Sequence, residues 1–206
     1  MVAVRLPTFS EERLLIARGL TLVAGVDEAG CGAWAGPVYA AAVILPLDSR
    51  IVLVRDSKTL SLAQRQRVIE SIKQKATAWA IGISTQEEVD RLNVRRAGAL
   101  AMKRAVEALS VLPQFILSDA FQIPGLAIPC KNIINGDRDV KSIAAASIIA
   151  KVERDIEMTK LDLVYPGYGF GDHKGYGTKQ HQEALRKLGA CAIHRMSYEP
   201  LKKFRA

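Results

Sequence analysis

An apolar run that stops on two acids constrains the fold of this chain more than any other feature. Residues 21–26 read Thr-Leu-Val-Ala-Gly-Val, and Asp27 and Glu28 follow directly. A run of that length is typical of a buried strand, and such strands seldom finish on paired carboxylates. The two like charges repel each other beside a core, so they need a neutralising partner. A divalent cation is the simplest one, because carboxylate oxygens suit Mg²⁺ and Mn²⁺.

The length and charge of the chain limit its class. With 206 residues the chain can bury one sizeable core, so a single domain over residues 1–206 is expected. The net charge of +8 favours a polyanionic partner, most often nucleic acid, although a solubility charge explains it equally well. No stretch is apolar enough to cross a membrane, and a monomer is the simplest oligomeric state.

The cysteines indicate a reduced, cytoplasmic protein. Cys31, Cys130 and Cys191 show neither the paired spacing of a zinc site nor a disulfide framework. Residues 1–15 carry charges where a secretory signal would have a continuous apolar segment. We therefore expect a cytoplasmic location.

The pattern along the chain predicts a mixed α/β domain. Residues 61–64 and 85–88 are capping boxes that open helices, and the short link 30–37 makes the first two strands antiparallel. Strands followed by strand–helix alternation indicate a mixed β-sheet flanked by helices, with a helical C-terminal part from about residue 160. Strands are expected at 22–26, 38–45, 79–84, 115–117 and 127–134, helices at 61–76, 85–109, 142–164 and after Thr178, and a loop at 165–177.

Two further acids follow predicted strands. Asp119 and Asp137 lie next to apolar segments, and ligands of α/β sheets gather beyond strand ends, so these acids can converge with the first pair. Four carboxylates on a basic protein indicate a two-metal site for a phosphodiester. The alternative is that Asp119 and Asp137 are ordinary turn residues. Asp155 is a fifth acid, but its helical setting favours an ion pair with a nearby Lys or Arg.

Several spaced motifs, in matching order between about residues 22 and 200, resemble bacterial ribonuclease HII, the type 2 ribonuclease H family. The resemblance implies a ribonuclease H-like fold and a Mg²⁺- or Mn²⁺-dependent endoribonuclease. Its substrates would be RNA–DNA hybrids and single ribonucleotides embedded in duplex DNA, cut to give 5′-phosphate and 3′-hydroxyl ends. The motifs are Gly25-Val-Asp-Glu-Ala-Gly-Cys-Gly32 with Gly36-Pro-Val38, Asp56-Ser-Lys58, Ser142-Ile-Ala-Ala-Ala-Ser147 with Ala150-Lys-Val-Glu-Arg-Asp155, Tyr165-Pro-Gly-Tyr-Gly-Phe170, and His173-Lys-Gly-Tyr-Gly177.

The resemblance also implies a role for individual residues. The four catalytic, metal-binding carboxylates would be Asp27, Glu28, Asp119 and Asp137. Substrate would be bound by Lys58, which holds a phosphate, and by Gly30, Cys31, Gly32 and Tyr176, which read the 2′-hydroxyl where RNA passes into DNA. Without the resemblance, the residues favour the other interpretation of Tyr176, a loop aromatic that packs within its own part of the fold.

Two positions depart from the family pattern. Cys31 stands where the family normally has Arg, and Ala120 stands where it has Gly. Losing a guanidinium removes a bidentate phosphate donor, which leaves affinity for the junction open. We interpret Cys31 as a small packing residue rather than a metal ligand. His173, His181 and His194 show no ligand spacing and are expected to be loop or surface residues that touch DNA.

Two other functions remain open at this point. An inert hybrid-binding protein is compatible with Cys31, and a DNA-directed nuclease is compatible with the acids. Cleavage of a duplex that contains one ribonucleotide, beside an all-DNA control, separates the three. The sequence does not indicate a replication-clamp partner.

Overall fold

A computed structural model of the chain describes residues 6–51, 54, 62–119 and 122–204. The motif at residues 56–58, with Lys58, lies outside the described residues, as do Ser61 of the first capping box and Ala120.

A five-stranded mixed sheet forms the centre of the fold. Its strands are β1 (Val23–Ala29), β2 (Val38–Ile44), β3 (Ala78–Ser84), β4 (Phe115–Asp119) and β5 (Cys130–Ile133), in the order β3-β2-β1-β4-β5. β2 pairs antiparallel with β1 and β3, whereas β4 pairs parallel with β1 and β5. The predicted mixed sheet and the antiparallel pair across the short link are confirmed. The last strand is shorter than predicted, because β5 is an edge strand that pairs over only four residues.

Helices cover both faces of the sheet. They are α1 (Ser10–Ile16), α2 (Leu62–Lys75), α3 (Gln86–Leu92), α4 (Val94–Glu107), α5 (Gly136–Asp139), α6 (Lys141–Val164), α7 (Phe170–His173) and α8 (Lys179–Leu188), followed by a 3₁₀ helix (Glu199–Phe204). The predicted capping box of α3 is confirmed, since the Thr85 hydroxyl accepts from the Glu88 N–H and the Glu88 carboxylate accepts from the Thr85 N–H. The predicted loop at 165–177 is partly wrong, because α7 lies within it.

Small side chains let the helices approach the sheet closely. In β2, Ala41 and Val43 face α2 and α6, whereas Ala40 and Ala42 face α4 on the other side. At Gly25 in β1, a Cβ atom would lie 2.2 Å from a backbone carbon of α6, so no side chain fits there. α6 therefore crosses β1 at backbone contact, directly before the acidic pair.

The prediction that the first strand ends before the acidic pair is wrong. β1 continues through Asp27 and Glu28 to Ala29, because β2 remains hydrogen-bonded beside it over all of these residues. On its other side, the parallel ladder with β4 stops at Val26 and Ser118. Asp27 therefore lies within β1, one residue beyond the last pair that β1 forms with β4.

Candidate active site

One cleft of about 460 Å³ collects most of the residues singled out in the sequence. Its lining contains all four acids, one glycine of the link between β1 and β2, and the tyrosine of the last motif. Three residues that sequence reasoning did not assign to the site complete it. The full lining is Asp27, Glu28, Ala29, Gly30, Asp119, Asp137, Ser147, Lys151 and Tyr176.

The sheet register explains why the acids meet. The ladder between β1 and β4 ends at Val26 and Ser118, so Asp27 and Asp119 are the next residues on two neighbouring parallel strands. Asp137 arrives on α5, the single turn that follows β5. The Gly136 N–H at the start of that turn donates to Asp119 Oδ1 at 2.9 Å, which ties α5 to the end of β4.

The surroundings of Asp27 disfavour the charged form of its carboxylate. Asp27 is only 5% exposed. Burial raises its pKa well above the usual value, and the neighbouring carboxylates of Glu28 and Asp119 raise it further. A hydrogen bond from Ser147 and one from the Glu28 N–H, at 2.8 Å, offset this in part. A cation in the cleft would stabilise the charged form of Asp27.

The carboxylates suit a hard divalent cation by their chemistry. Among the described residues, no group of three or more His, Cys, Asp or Glu side chains is already arranged to hold a metal ion. Mg²⁺ is commonly held by one or two carboxylates together with waters and substrate phosphates rather than by a complete protein cage. The open set of acids in the cleft fits that kind of binding.

α6 adds polar residues to the cleft. Ser147 and Lys151 line it, and Lys151 Nζ donates to Asp155 Oδ1 at 2.6 Å, which confirms the predicted ion pair of Asp155. Burial lowers the pKa of Lys151. The spacing of four residues between Ser147, Lys151 and Asp155 puts them on one face of the helix, and that was the available sequence signal for the first two.

Two buried arginines fix the link between β1 and β2, residues 30–37. Arg195 donates to the carbonyls of Gly30, Ala33 and Gly36 at 2.7–2.9 Å, and Arg154 donates to that of Pro37 at 2.9 Å. Both arginines are fully buried. Sequence reasoning missed them, because their partners are backbone carbonyls more than a hundred residues away.

Glycine is required at the start of this link. Gly30 has φ of +94°, and a Cβ atom on it would lie 2.0 Å from Arg154 Nε. Gly32 is exposed, and a Cβ there would be 3.8 Å from the ring of Tyr176. The link therefore presents backbone without a side chain at Gly30, which lines the cleft, and at Gly32, which faces Tyr176.

Cys31 turns its side chain inward. It packs against the core between the sheet and α4, and its Sγ is the atom nearest to a Cβ built on Gly98, at 3.4 Å. Burial raises the pKa of the thiol to about 12, and the Glu28 carboxylate contributes. The thiol stays protonated at neutral pH, which supports a packing role.

The expectation that the histidines are surface residues that touch DNA is wrong, although His194 does lie in a loop. His173, His181 and His194 are 9%, 0% and 2% exposed, and the rings of the first two stack at a centroid distance of 4.5 Å. They pack with Phe170 in the core of the C-terminal part. Their scattered spacing hid this, because α7, α8 and the following loop bring them together only in the folded chain.

The fold and the acidic cleft define a ribonuclease H-type protein. The ribonuclease H2 of Pyrococcus horikoshii OT3 has the same fold, with a TM-score of 0.75 at 27% identity over 88% of this chain and 96% of that one. The sequence matches the family model described as Ribonuclease HII over residues 24–200. The chain belongs to the ribonuclease HII family, whose members are metal-dependent ribonucleases.

Bacterial relatives align along most of the chain. The ribonuclease HII of Anaeromyxobacter sp. (strain Fw109-5) is 52% identical over 185 residues, which are 90% of this chain and 59% of that protein. The ribonuclease HII of Nitrosococcus oceani is 48% identical over 182 residues, which are 88% of this chain and 90% of that protein. No helix within the described ranges is long and apolar enough to span a membrane.

Proposed function

We propose that this chain is an endoribonuclease that cuts the RNA strand of RNA–DNA hybrids and cuts at single ribonucleotides embedded in duplex DNA. The observation that carries the proposal is the cleft itself, where four carboxylates, a lysine and a tyrosine share one lining. The net charge of +8 supports a nucleic-acid substrate, since the acids alone would repel one.

The four carboxylates Asp27, Glu28, Asp119 and Asp137 would hold two Mg²⁺ or Mn²⁺ ions. When bound, the ions supply a nucleophilic water at neutral pH and neutralise charge on the departing 3′ oxygen. Asp27 contributes a charge that the protein alone leaves poorly stabilised. Asp119 both faces the cleft and anchors α5, so it also places Asp137. The products would carry 5′-phosphate and 3′-hydroxyl ends.

Lys151 and Ser147 would support the acids from α6. Lys151 lines the cleft as a cation held in place by Asp155, which suits a contact with the phosphate being cut. Ser147 hydrogen-bonds to Asp27 and so fixes the carboxylate. Lys58, outside the described residues, is proposed as a second phosphate contact on the family resemblance alone.

Recognition of the ribonucleotide would come from the link and the tyrosine. Gly30, Cys31 and Gly32 would offer backbone groups to the 2′-hydroxyl, because the cysteine side chain is turned away from the cleft side. The ring of Tyr176 lines the cleft and would stack on the sugar at the junction. The helical part from about residue 160 would thus contact the substrate, in a monomeric cytoplasmic protein.

A panel of matched duplexes tests the proposal. We expect cleavage of a duplex with one ribonucleotide and of an RNA–DNA hybrid in Mn²⁺ or Mg²⁺, and no cleavage in EDTA. The all-DNA duplex of the same sequence should stay intact, and mapped ends should be 5′-phosphate and 3′-hydroxyl. Equal cutting of the all-DNA duplex would contradict the ribonucleotide specificity, and cleavage in EDTA would contradict the metal assignment.

A further inference from the structure

Three buried histidines pack together outside the cleft. His173, His181 and His194 are absent from its lining, so the proposed chemistry does not use them. Buried polar rings are expected to have hydrogen-bond partners, and each of these rings has one on both nitrogens. The direction of each bond in turn follows from one group that can only accept, the backbone carbonyl of Tyr176.

The fixed acceptor is the backbone carbonyl of Tyr176. His181 Nδ1 lies 3.0 Å from it, and because a carbonyl only accepts, Nδ1 must carry the hydrogen. The Nε2 atom of a neutral His181 is then bare. His194 Nε2 lies 3.0 Å from it and must donate.

The outer end of the chain of bonds agrees with this direction. His194 Nδ1 is bare when Nε2 donates, and the Cys191 N–H donates to it at 2.9 Å. The Cys191 carbonyl, 3.2 Å from the same nitrogen, would bond only to the opposite tautomer. One directed relay therefore runs from Cys191 N–H through His194 and His181 to the Tyr176 carbonyl. We call it the histidine relay.

The third histidine holds the residue before the tyrosine. His173 Nδ1 accepts from the Gly175 N–H at 3.2 Å, and His173 Nε2 lies 2.8 Å from the Tyr168 carbonyl, to which it donates. Because the His173 and His181 rings are stacked, the two bonds on Gly175 and Tyr176 come from one rigid pair. Gly175 has φ of +80°, a conformation that the pair helps to maintain.

We propose that His181 is a positioning residue for Tyr176, acting through the histidine relay on the backbone carbonyl of that residue. The backbone of Tyr176 is also held by the Thr178 N–H, which donates to its carbonyl at 2.8 Å, and the relay adds the side-chain bond that helps to fix where its ring stands in the cleft. The neutral state needed for this direction is favoured by burial, which lowers the pKa of both relay histidines. The inference rests on the proposed role of Tyr176 in ribonucleotide recognition.

The ring nitrogens test the relay without any substrate. The chain has three histidines, so ¹⁵N labelling of histidine gives three ring systems. At pH 7 we expect the hydrogen on Nδ1 of His181 and on Nε2 of His194 and His173. An Nε2–H tautomer or an imidazolium at His181 would overturn the relay. This result does not depend on activity, which separates failure of the relay from failure of the proposed function.

Two variants of His181 test the positioning role. In His181→Asn the amide nitrogen takes the place of Nδ1 and keeps the bond to Tyr176, whereas in His181→Gln it takes the place of Nε2 and loses that bond. On a duplex with one ribonucleotide, we expect His181→Gln to lower kcat roughly 10- to 100-fold with little change in KM. His181→Asn should retain most of the kcat of the parent. Thermal unfolding of both confirms that they are folded at the assay temperature.

The same substitutions in a Tyr176→Ala background complete the test. If His181 acts through the tyrosine ring, His181→Gln should cause no further loss of kcat once the ring is gone. An undiminished loss in that background, or equal losses for Asn and Gln in the parent, would overturn the positioning role.

Discussion

At the scale of single residues, Asp27 shows how a site can be poised for a cation. It is buried in a strand, with two carboxylate neighbours that raise its pKa together with burial. Asp27→Asn removes this charge and keeps the shape. In EDTA we expect the thermal midpoint to rise by about 2–4 °C, the shift that about 1 kcal/mol gives in a domain of this size.

Added Mn²⁺ should then distinguish the two proteins. It should raise the midpoint of the unmutated chain, because a ligand that binds only the folded state stabilises it, but should raise that of Asp27→Asn little. Scanning calorimetry with and without Mn²⁺ measures both effects. A lower midpoint for Asp27→Asn in EDTA would show that the carboxylate stabilises the fold, contrary to its raised pKa.

Cys31 departs from the family pattern, but its side chain is not expected to affect cleavage. Its thiol packs against α4, and its carbonyl accepts from Tyr198 Oη at 2.6 Å and from Arg195. We expect Cys31→Ser to keep kcat/KM within about threefold, since these backbone bonds do not depend on the thiol. Cleavage rates on the duplex with one ribonucleotide measure this. A loss beyond tenfold in a folded variant would mean that the thiol takes part in the reaction.

At the scale of elements, the histidines of α8 and of the loop after it make the free energy of unfolding depend on pH. Burial lowers the pKa of His181 and of His194 from 6.5 to about 4. Between those values the unfolded chain binds more protons than the folded one, so the free energy of unfolding falls as the pH drops from 6.5 toward 4. At about 1.4 kcal/mol for each pKa unit between 6.5 and 4, the loss reaches about 3.5 kcal/mol for one ring.

The variant His194→Gln tests this pH dependence. Urea unfolding at several pH values should give a flatter dependence between pH 4 and 6.5 for the variant than for the parent. The difference between the two proteins isolates the contribution of His194, because Asp27 and Glu12, whose pKa values are raised, contribute a slope of the opposite sign to both. Parallel curves would show that His194 titrates normally in the folded chain.

At the scale of the whole molecule, local patterns predicted the elements, and distant contacts set the rest. The sheet, most helix bounds and the capping box at Thr85 follow from periodicity and local hydrogen bonds, and the acids follow from their position beside strands. The burial of His194 and Arg195 was not predictable, because their partners are His181 and the link near Gly30. Those contacts exist only once the C-terminal part has folded against the sheet.

The proposed chemistry is metal-dependent cleavage at ribonucleotides by the carboxylates of the cleft. Its most direct test is single-turnover cleavage of a duplex with one ribonucleotide in Mn²⁺, comparing Asp119→Asn with Asp48→Asn. Asp48 is exposed and lies outside the cleft, so its variant makes the same chemical change elsewhere. We expect Asp119→Asn to lower the rate at least 1,000-fold, a loss of about 4 kcal/mol, and Asp48→Asn to leave it within twofold. A folded Asp119→Asn protein that cleaves at a near-normal rate would show that the Asp119 carboxylate is not needed for cleavage.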